Sequence, residues 1–172
     1  MNKGKPGPLK PLIKINGKTI LQHIFEIYNR FGYKNFYLLG GYKINELIRF
    51  SKKIKDLNIK VINTGLGTST AGRLTFIKKY LSQGENFYLT YGDSLANFKA
   101  KKALKYKKND NYIISSYLNS TPYGVLEIKK NHDLKKMYEK NFFFYINAGF
   151  YILDSSIFNF IKSKKESFEK DV

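Results

Sequence analysis

The chain has 172 residues, of which 42% are hydrophobic, 14 are phenylalanine and 14 are tyrosine, a composition typical of one globular domain with a sizeable core. It contains no cysteine, which excludes disulfide bonds, thiolate metal sites and a cysteine nucleophile, and no apolar run approaches the ~20 residues of a transmembrane helix. The net charge is +18, but all except three of the 31 basic residues are lysines spread over every segment, so we interpret it as compositional bias plus a solvated surface and expect neither a nucleic-acid nor a membrane partner.

The first half of the sequence alternates helical and strand patterns. Thr19 precedes apolar residues at helical spacing, and Gly32 ends that pattern. Short apolar runs then alternate with amphipathic stretches in the rhythm of parallel βαβ units, so we predict a three-layer, Rossmann-like α/β fold with a mostly parallel sheet. The predicted helices are 20–31, 43–54, 71–82 and 94–107, and the predicted strands are 35–39, 59–62 and 87–91.

The second half is richer in strands, because few helical patterns separate its apolar runs. We predict that it continues the same sheet, within a single domain that spans residues 1–172. A final helix is expected to begin with Ser155 or Ser156 as its N-cap. The predicted strands are 111–118, 124–128, 134–139 and 145–153.

A loop rich in glycine and threonine, residues 64–73, opens the third predicted helix. Small residues let a backbone approach a flat base closely, and the N–H groups at a helix start attract phosphate. Arg73, in the first turn, is placed either to neutralise phosphate or to brace the loop. An ordinary turn is the alternative, since glycine and threonine are common there. We interpret the loop as a nucleotide site.

Asp93 follows the predicted strand 87–91, at the edge where open α/β sheets bind their ligands. A Mg²⁺ ion bound to a nucleotide takes one or two carboxylates together with phosphate oxygens. We therefore predict that Asp93 binds Mg²⁺, although a turn residue or a helix N-cap would have the same position.

Two further stretches carry weaker signals. Glu139 and Lys140 form a charged pair of the kind that ordinarily lies on a surface, and Asn147 opens an Asn-Ala-Gly stretch that ordinarily marks a bend. His23 and His132 have no recognisable partner motif, so we expect them to be structural or solvated.

Together these residues resemble the sugar-1-phosphate nucleotidyltransferase family, and within it the glucose-1-phosphate cytidylyltransferase branch. The similarity covers nearly the whole chain, and the Thr-Gly-x-x-Thr-x-Thr-x-Gly-Arg stretch at 64–73 is the part specific to the branch. The matching stretches are 10–18, 20–24, 40–43, 64–74, 90–93, 123–124, 139–140 and 146–150.

The resemblance implies metal-assisted attack of a sugar-1-phosphate oxygen on the α-phosphorus of a nucleoside triphosphate, giving pyrophosphate and a nucleotide sugar for polysaccharide synthesis. CTP and a hexose-1-phosphate, with glucose-1-phosphate favoured, are the implied substrates, Mg²⁺ is the implied cofactor, and a homo-oligomer is allowed. The implied residues are Lys10 and Arg73 for catalysis; Thr64, Gly65, Thr68, Thr70, Gly72 and Arg73 for the nucleotide; Gly124, Glu139, Lys140 and Asn147 for the sugar; and Asp93 for the metal.

The sequence departs from the family pattern near both ends. Family members open with a buried strand and a Gly-Gly-x-Gly-Thr-Arg loop around the triphosphate, whereas the nine residues before Lys10 match neither, and the second metal-binding aspartate of the family would lie beyond Val172. Asn141 and Ala148 also stand where proline and glycine are usual. In the doubly wound order the absent strand lies between 35–39 and 87–91, so we predict an interrupted sheet and a fragment or degenerate copy with little activity alone.

Three other interpretations stay open. The chain could belong to a branch with another nucleotide or sugar, or be a non-catalytic remnant that binds nucleotide or pairs with a complete subunit. A basic nucleic-acid module is the third, which we disfavour because no recognition motif accompanies the charge. No apolar region follows the charged first residues, so we expect no signal peptide and a cytoplasmic location.

Overall fold

The computed structural model describes residues 7–107, 112–139 and 142–171. Within these ranges the chain forms nine strands, four α-helices and three 3₁₀-helices, and none of the helices is long and apolar enough to cross a membrane. The strands are β1 (Lys14–Ile15), β2 (Lys18–Thr19), β3 (Asn35–Gly40), β4 (Asn58–Asn63), β5 (Asn86–Thr90), β6 (Tyr112–Thr121), β7 (Val125–Ile128), β8 (Leu134–Tyr138) and β9 (Phe142–Asp154). The α-helices are α1 (Ile20–Asn29), α2 (Ile44–Ser51), α3 (Thr70–Leu74) and α4 (Ala100–Leu104), and the 3₁₀-helices are Lys10–Leu12, Thr75–Tyr80 and Ser155–Asn159.

The helix α1 forms because a capping box closes its start and apolar residues recur on one face. The Gln22 backbone N–H donates to the Thr19 hydroxyl at 3.1 Å, and the Thr19 backbone N–H donates to the Gln22 side chain at 2.8 Å. The apolar face packs against β3, β4 and α2, so one core cluster lies on this side of the sheets. The buried members of α1 are Ile20, Leu21, Ile24, Phe25, Ile27 and Tyr28.

The strands β3 and β4 form a parallel pair with α2 between them in the chain, as the alternating pattern predicts. Their register runs from Asn35 opposite Asn58 to Gly40 opposite Asn63. Both strands therefore end at the same edge.

The strand β9 is the centre of a second sheet, in which it pairs antiparallel with β5 and with β6. Phe150 of β9 joins the core cluster of α1, whereas Tyr151 joins a second cluster with α3, since neighbours along a strand point to opposite faces. The hairpin of β7 and β8 pairs separately. Helices thus cover both faces of the sheets, which agrees with the predicted α/β class. Among the described strands, however, only β3 and β4 pair in parallel, whereas a mostly parallel sheet was expected, because β9 pairs antiparallel with both β5 and β6.

The two sheets share no strand pairing within the described residues, and the interruption lies where the sequence predicts it. A cavity of about 740 Å³ separates β3 from β5 and is lined by residues of both strands, with α1 on one face and α3 on the other. We call this cavity the slot.

Two predicted helices are much shorter than their sequence patterns. The helix expected over 71–82 is α-helical only to Leu74 and then tightens into the 3₁₀-helix Thr75–Tyr80, which begins with β-branched and aromatic residues that disfavour the α form. Of the helix expected over 94–107 only α4 is α-helical, because serine and asparagine in the preceding stretch favour turns.

The predicted final helix is a single 3₁₀ segment, and the predicted cap is wrong. Asp154 is the cap rather than Ser155 or Ser156, because its carboxylate accepts a hydrogen bond from the Ser156 backbone N–H at 2.8 Å.

Candidate active site

The candidate nucleotide loop follows β4 and crosses the carboxyl end of β3. The Thr64 N–H donates to the Gly40 carbonyl at 2.7 Å, which extends the strand pairing by one residue. Gly41 passes so close to Gly65 that a Cβ on Gly41 would overlap the Gly65 carbonyl oxygen. Gly65 itself has a φ of +81°, which favours glycine. These glycines let the loop lie directly on the end of the sheet.

Arg73 braces this loop from inside. Its Nη1 donates to the Thr64 hydroxyl at 2.6 Å, and that buried hydroxyl donates to the Gly40 carbonyl at 3.1 Å. The Thr68 hydroxyl donates to the Thr64 carbonyl at 2.5 Å. Bracing is therefore one role these contacts support for Arg73. Arg73 also lines the slot, so its charge borders a cavity large enough to hold solvent.

The start of α3 is covered by the chain's own C-terminal segment, residues 162–171. The backbone N–H of Ser69 donates to the Lys164 carbonyl at 3.0 Å, and the N–H of Ala71 donates to the Glu166 carbonyl at 3.2 Å. Gly72 lies so close that a Cβ there would overlap the Lys164 backbone. Carbonyl oxygens of this segment thus engage donors that the sequence pattern offered to a ligand.

A hydrogen-bond chain links this segment to the other side of the site. Asn147 donates to the Tyr151 hydroxyl, which donates to Tyr91 at 3.0 Å, and Tyr91 donates to Glu169. The Thr70 hydroxyl donates to the other carboxylate oxygen of Glu169 at 2.9 Å. This series of hydrogen bonds therefore connects a predicted sugar residue, Asn147, with a predicted nucleotide residue, Thr70.

The hydrogen bonds of this series favour the ionised form of Glu169. Partial burial opposes its ionisation, but hydrogen bonds from Ser167, Tyr91 and Thr70 outweigh burial and lower the pKa of Glu169 to about 2. Burial, together with the hydrogen bond to Glu169, raises the pKa of Tyr91. Sequence reasoning missed Glu169, which belongs to no motif, and Tyr91 had only its position beside Asp93 as a signal.

Asp93 and Lys10 meet at the carboxyl end of β5. Lys10 Nζ lies 3.6 Å from Asp93 Oδ2, and both side chains are well exposed. Asp93 borders the slot on one side and, on the other, a second cavity of about 430 Å³ that Lys10 also lines. The structure thus brings Lys10, Asp93 and the Arg73-braced loop to one end of the sheets.

A divalent ion fits this site only with help from a substrate. Among residues 7–107, 112–139 and 142–171, no group of three or more His, Cys, Asp and Glu residues is arranged to hold a metal. Asp93 can supply a single carboxylate from a solvent-exposed position. Mg²⁺ accepts such an arrangement, because it keeps several waters and takes its other oxygens from phosphates.

The predicted sugar residues are placed in two groups. Gly124 and Glu139 flank the β7–β8 hairpin, where Gly124 faces the Tyr138 carbonyl. Asn147 lies on β9, and its side-chain oxygen accepts from the Gly149 N–H at 2.8 Å. Lys140 lies outside the described residues.

The two histidines lie on α1 and in the turn between β7 and β8. His23 Nε2 is hydrogen-bonded to the Ile15 carbonyl at 2.9 Å, and His132 is an exposed turn residue with a φ of +68°. Both placements agree with the structural or solvated roles expected from the sequence.

Comparison with known proteins finds a matching family and several similar proteins. A model described as "Nucleotidyl transferase" matches residues 8–172. Glucose-1-phosphate cytidylyltransferase from Salmonella typhimurium is 26% identical over 189 residues, covering 94% of this chain and 73% of the relative. The catalytic subunit beta of mannose-1-phosphate guanylyltransferase from Drosophila melanogaster is 28% identical over 176 residues, covering 95% and 47%. The crystal structure of HddC from Yersinia pseudotuberculosis complexed with GMP-PN is similar with a TM-score of 0.77 and 25% identity, covering 99% and 79%.

Proposed function

Because the chain belongs to the nucleotidyl transferase family, we propose that it transfers a cytidylyl group from CTP to a hexose-1-phosphate, with glucose-1-phosphate as the preferred sugar. The observation that carries the proposal is the meeting of Lys10, Asp93 and the Arg73-braced loop at one end of the sheets. The cytidylyltransferase among the relatives supports this choice of nucleotide.

The reaction requires alignment of two phosphates and compensation of their charge. A phosphate oxygen of the sugar-1-phosphate bonds to the α-phosphorus, while the bond from that phosphorus to the oxygen bridging the β-phosphate breaks and pyrophosphate leaves. The exposed Lys10 ammonium binds phosphate oxygens, and the loop 64–73 holds base and ribose. Gly124, Glu139, Lys140 and Asn147 line the hexose pocket in this proposal.

Mg²⁺ is the proposed cofactor, with Asp93 as its protein ligand. Bound there, the ion supplies positive charge against the triphosphate. Lys10 is 3.6 Å from the same carboxylate and can release it to bind phosphate oxygens instead, because the pair is solvent-exposed and weak.

Guanine nucleotides are the second candidate. The nucleotide named with HddC is GMP-PN, and the Drosophila relative is a mannose-1-phosphate guanylyltransferase. A different nucleotide changes the contacts of the loop with the base but leaves the roles of Lys10 and Asp93 unchanged.

Pyrophosphate release with Mg²⁺ tests the proposal. Each of the four nucleoside triphosphates is combined with glucose-1-phosphate and, separately, with mannose-1-phosphate. We expect slow turnover with CTP and glucose-1-phosphate, because the residues before Lys10 do not match the family's triphosphate loop, and a further decrease of roughly 100-fold or more in Asp93→Ala, on the scale of lost electrostatic stabilisation. Asp56→Ala is the matched control, since Asp56 is an exposed carboxylate in the turn before β4.

The outcomes separate the candidates. Turnover with GTP and mannose-1-phosphate would replace the cytidylyl assignment by the guanylyl one. No turnover with any pair, together with calorimetric binding of a nucleotide that Thr64→Val weakens, would identify a nucleotide-binding remnant. Equal loss of activity in Asp93→Ala and Asp56→Ala would contradict the role of Asp93.

A further inference from the structure

The hydrogen-bond series from Asn147 to Glu169 has one direction. Since its pKa is about 2, Glu169 is an ionised carboxylate at neutral pH and can only accept, so the Tyr91 hydroxyl donates its single proton to it. The Tyr91 oxygen then accepts from the Tyr151 hydroxyl at 3.0 Å, and the Tyr151 oxygen accepts from Asn147 Nδ2. The carboxylate of Glu169 therefore sets which atom donates at every step.

This direction fixes the orientation of the Asn147 amide. The oxygen and nitrogen of a carboxamide have nearly the same shape, so their hydrogen-bond partners decide which way the group points. Asn147 Nδ2 donates to Tyr151, and Oδ1 accepts from the Gly149 N–H at 2.8 Å. Within the described residues the Asn147 side chain makes no other hydrogen bond, and the residue is exposed. Its second Nδ2 proton is therefore available to an oxygen atom of a ligand.

The middle of the series is buried between aromatic rings. Tyr151 is 1% exposed, and the centre of its ring lies 5.4 Å from that of Tyr91 and 5.2 Å from that of Phe168. The Tyr91 backbone N–H also donates to the Gly149 carbonyl at 3.0 Å. These contacts hold the rings in place when a hydroxyl is removed, so the hydrogen bonds can be tested separately from the packing.

The second carboxylate oxygen of Glu169 contacts the candidate nucleotide loop. It accepts from the Thr70 hydroxyl at 2.9 Å, and the Thr70 oxygen accepts in turn from the Phe168 N–H at 2.8 Å. Thr70 belongs to the loop 64–73 and is the first residue of α3. One carboxylate thus contacts the candidate nucleotide loop directly and reaches Asn147 through two hydroxyls.

We propose that Glu169 is a positioning residue for both substrates of the transfer reaction. Through Tyr91 and Tyr151 it orients the Asn147 amide, whose Nδ2 then donates to an oxygen of the sugar phosphate. Through its other oxygen it holds Thr70 in the nucleotide loop. No proton moves along the series, which maintains an orientation only. The inference rests on the proposed function, because it takes Asn147 as part of the sugar site.

Nuclear magnetic resonance tests the orientation without any ligand, through the two side-chain amide protons of Asn147. We expect their resonances to shift in Glu169→Ala, which removes the acceptor at the end of the series. They should return toward the parent positions in Glu169→Gln, whose side-chain oxygen still accepts from Tyr91. They should also shift in Tyr91→Phe, where adding Glu169→Ala should change nothing further, because the series is already cut.

Tyr106→Phe and Asp56→Asn are the matched controls, because both positions are exposed and lie outside the series. Neither should move the Asn147 resonances. Tyr91→Phe keeps the ring and its packing, so it remains the decisive variant if Glu169→Ala does not fold. Asn147 resonances that stay in place when the series is cut would overturn the proposal.

Calorimetry tests the consequence for binding. Glucose-1-phosphate and, separately, mannose-1-phosphate are titrated into the chain with CTP or GTP already present, and Mg²⁺ is omitted to prevent turnover. In Tyr91→Phe we expect the Kd of the sugar phosphate to rise by about 3- to 10-fold, the equivalent of one hydrogen bond, while the Kd of the nucleotide changes by no more than about twofold. Glu169→Ala should raise both Kd values, because it also releases Thr70.

The outcomes separate this inference from the proposed function. Equal changes of both Kd values in Tyr91→Phe would show a general loosening of the fold and overturn the positioning role, as would an unchanged Kd for the sugar phosphate. A parent chain that binds sugar phosphate but releases no pyrophosphate with Mg²⁺ would contradict the proposed reaction and leave the positioning role supported. A parent chain that binds no sugar phosphate would overturn both.

Discussion

Arg73 and Thr64 are joined by a hydrogen bond of 2.6 Å between a guanidinium and a buried hydroxyl. Thr64→Val keeps the shape of the side chain but removes the acceptor for Arg73 and the donor to the Gly40 carbonyl. We expect the free energy of unfolding to fall by about 1–3 kcal/mol, the range for buried hydrogen bonds that include a charged group. Thr64→Ser retains both bonds and should lose less. Urea unfolding measures the difference.

A double-mutant cycle assigns that loss to the pair. Thr64→Val and Arg73→Met should destabilise together by less than the sum of their separate effects, with a coupling of about 0.5–3 kcal/mol. Arg49→Met is the control, because Arg49 is exposed on the helix α2 and should show no coupling to Thr64. Additive effects of Thr64→Val and Arg73→Met would show that the loop does not depend on this bond.

Among the elements, α3 depends on the C-terminal segment that covers its start. Glu169 joins the segment to α3 through Thr70 and to the end of β5 through Tyr91. The pKa of Glu169 is lowered from 4.5 to about 2, so its stabilising contribution is complete above pH 4.5 and is lost as the pH falls toward 2. Because Glu169 is mostly exposed, we expect the contribution to be below about 1 kcal/mol.

The acid dependence of stability checks this contribution. Glu169→Gln should unfold with a shallower loss of stability between pH 4.5 and 2 than the parent chain, whereas Asp56→Asn, at an exposed carboxylate, should not change the slope. When the parent chain is acidified, proteolysis of the C-terminal segment should begin at a higher pH than the loss of the far-UV circular dichroism signal. An unchanged acid slope in Glu169→Gln would place the stabilisation of α3 elsewhere.

Comparison of α1 with α3 shows what the sequence can and cannot predict. The capping box of α1 and the alternating strands were predictable, because side-chain chemistry and periodicity encode them locally. The covering of α3 was not, since the groups that engage Ser69 and Ala71 are backbone carbonyls of Lys164 and Glu166, which every residue type carries. The sequence pattern places Gly72 in a nucleotide motif, whereas in the fold its missing Cβ makes room for the Lys164 backbone.

For the whole molecule, the α/β class is confirmed by the helices that cover both faces of the sheets, and the nucleotidyltransferase resemblance is confirmed by the family model that matches residues 8–172. Within the residues that the structure describes, the predicted interruption of the sheet is also present. What the sequence could not predict is how two sheets without shared pairing stay together. That depends on long-range contacts, such as Tyr33 on Tyr88, which lie 55 positions apart in the chain.

Tyr28 makes a polar contact between the helix α1 and the strand β5, since its hydroxyl is hydrogen-bonded to the Thr90 hydroxyl. Burial raises the pKa of Tyr28 from 10.0 to about 12, and the bond to Thr90 only partly offsets this. The neutral phenol therefore stabilises the fold fully below pH 10, and this contribution is lost as the pH rises toward 12.

Between pH 9 and 12 we expect the parent chain to lose about 2–3 kcal/mol more of its free energy of unfolding than Tyr28→Phe does. A rise of the Tyr28 pKa from 10.0 to about 12 corresponds to a free energy of this size. At pH 7 the variant should be less stable by about 1 kcal/mol, because Thr90 loses its partner. Tyr106→Phe, at an exposed tyrosine, should behave like the parent at every pH. If Tyr28→Phe kept the full alkaline slope, other ionisations would separate the sheets, and the tie between α1 and β5 would rest on apolar packing alone.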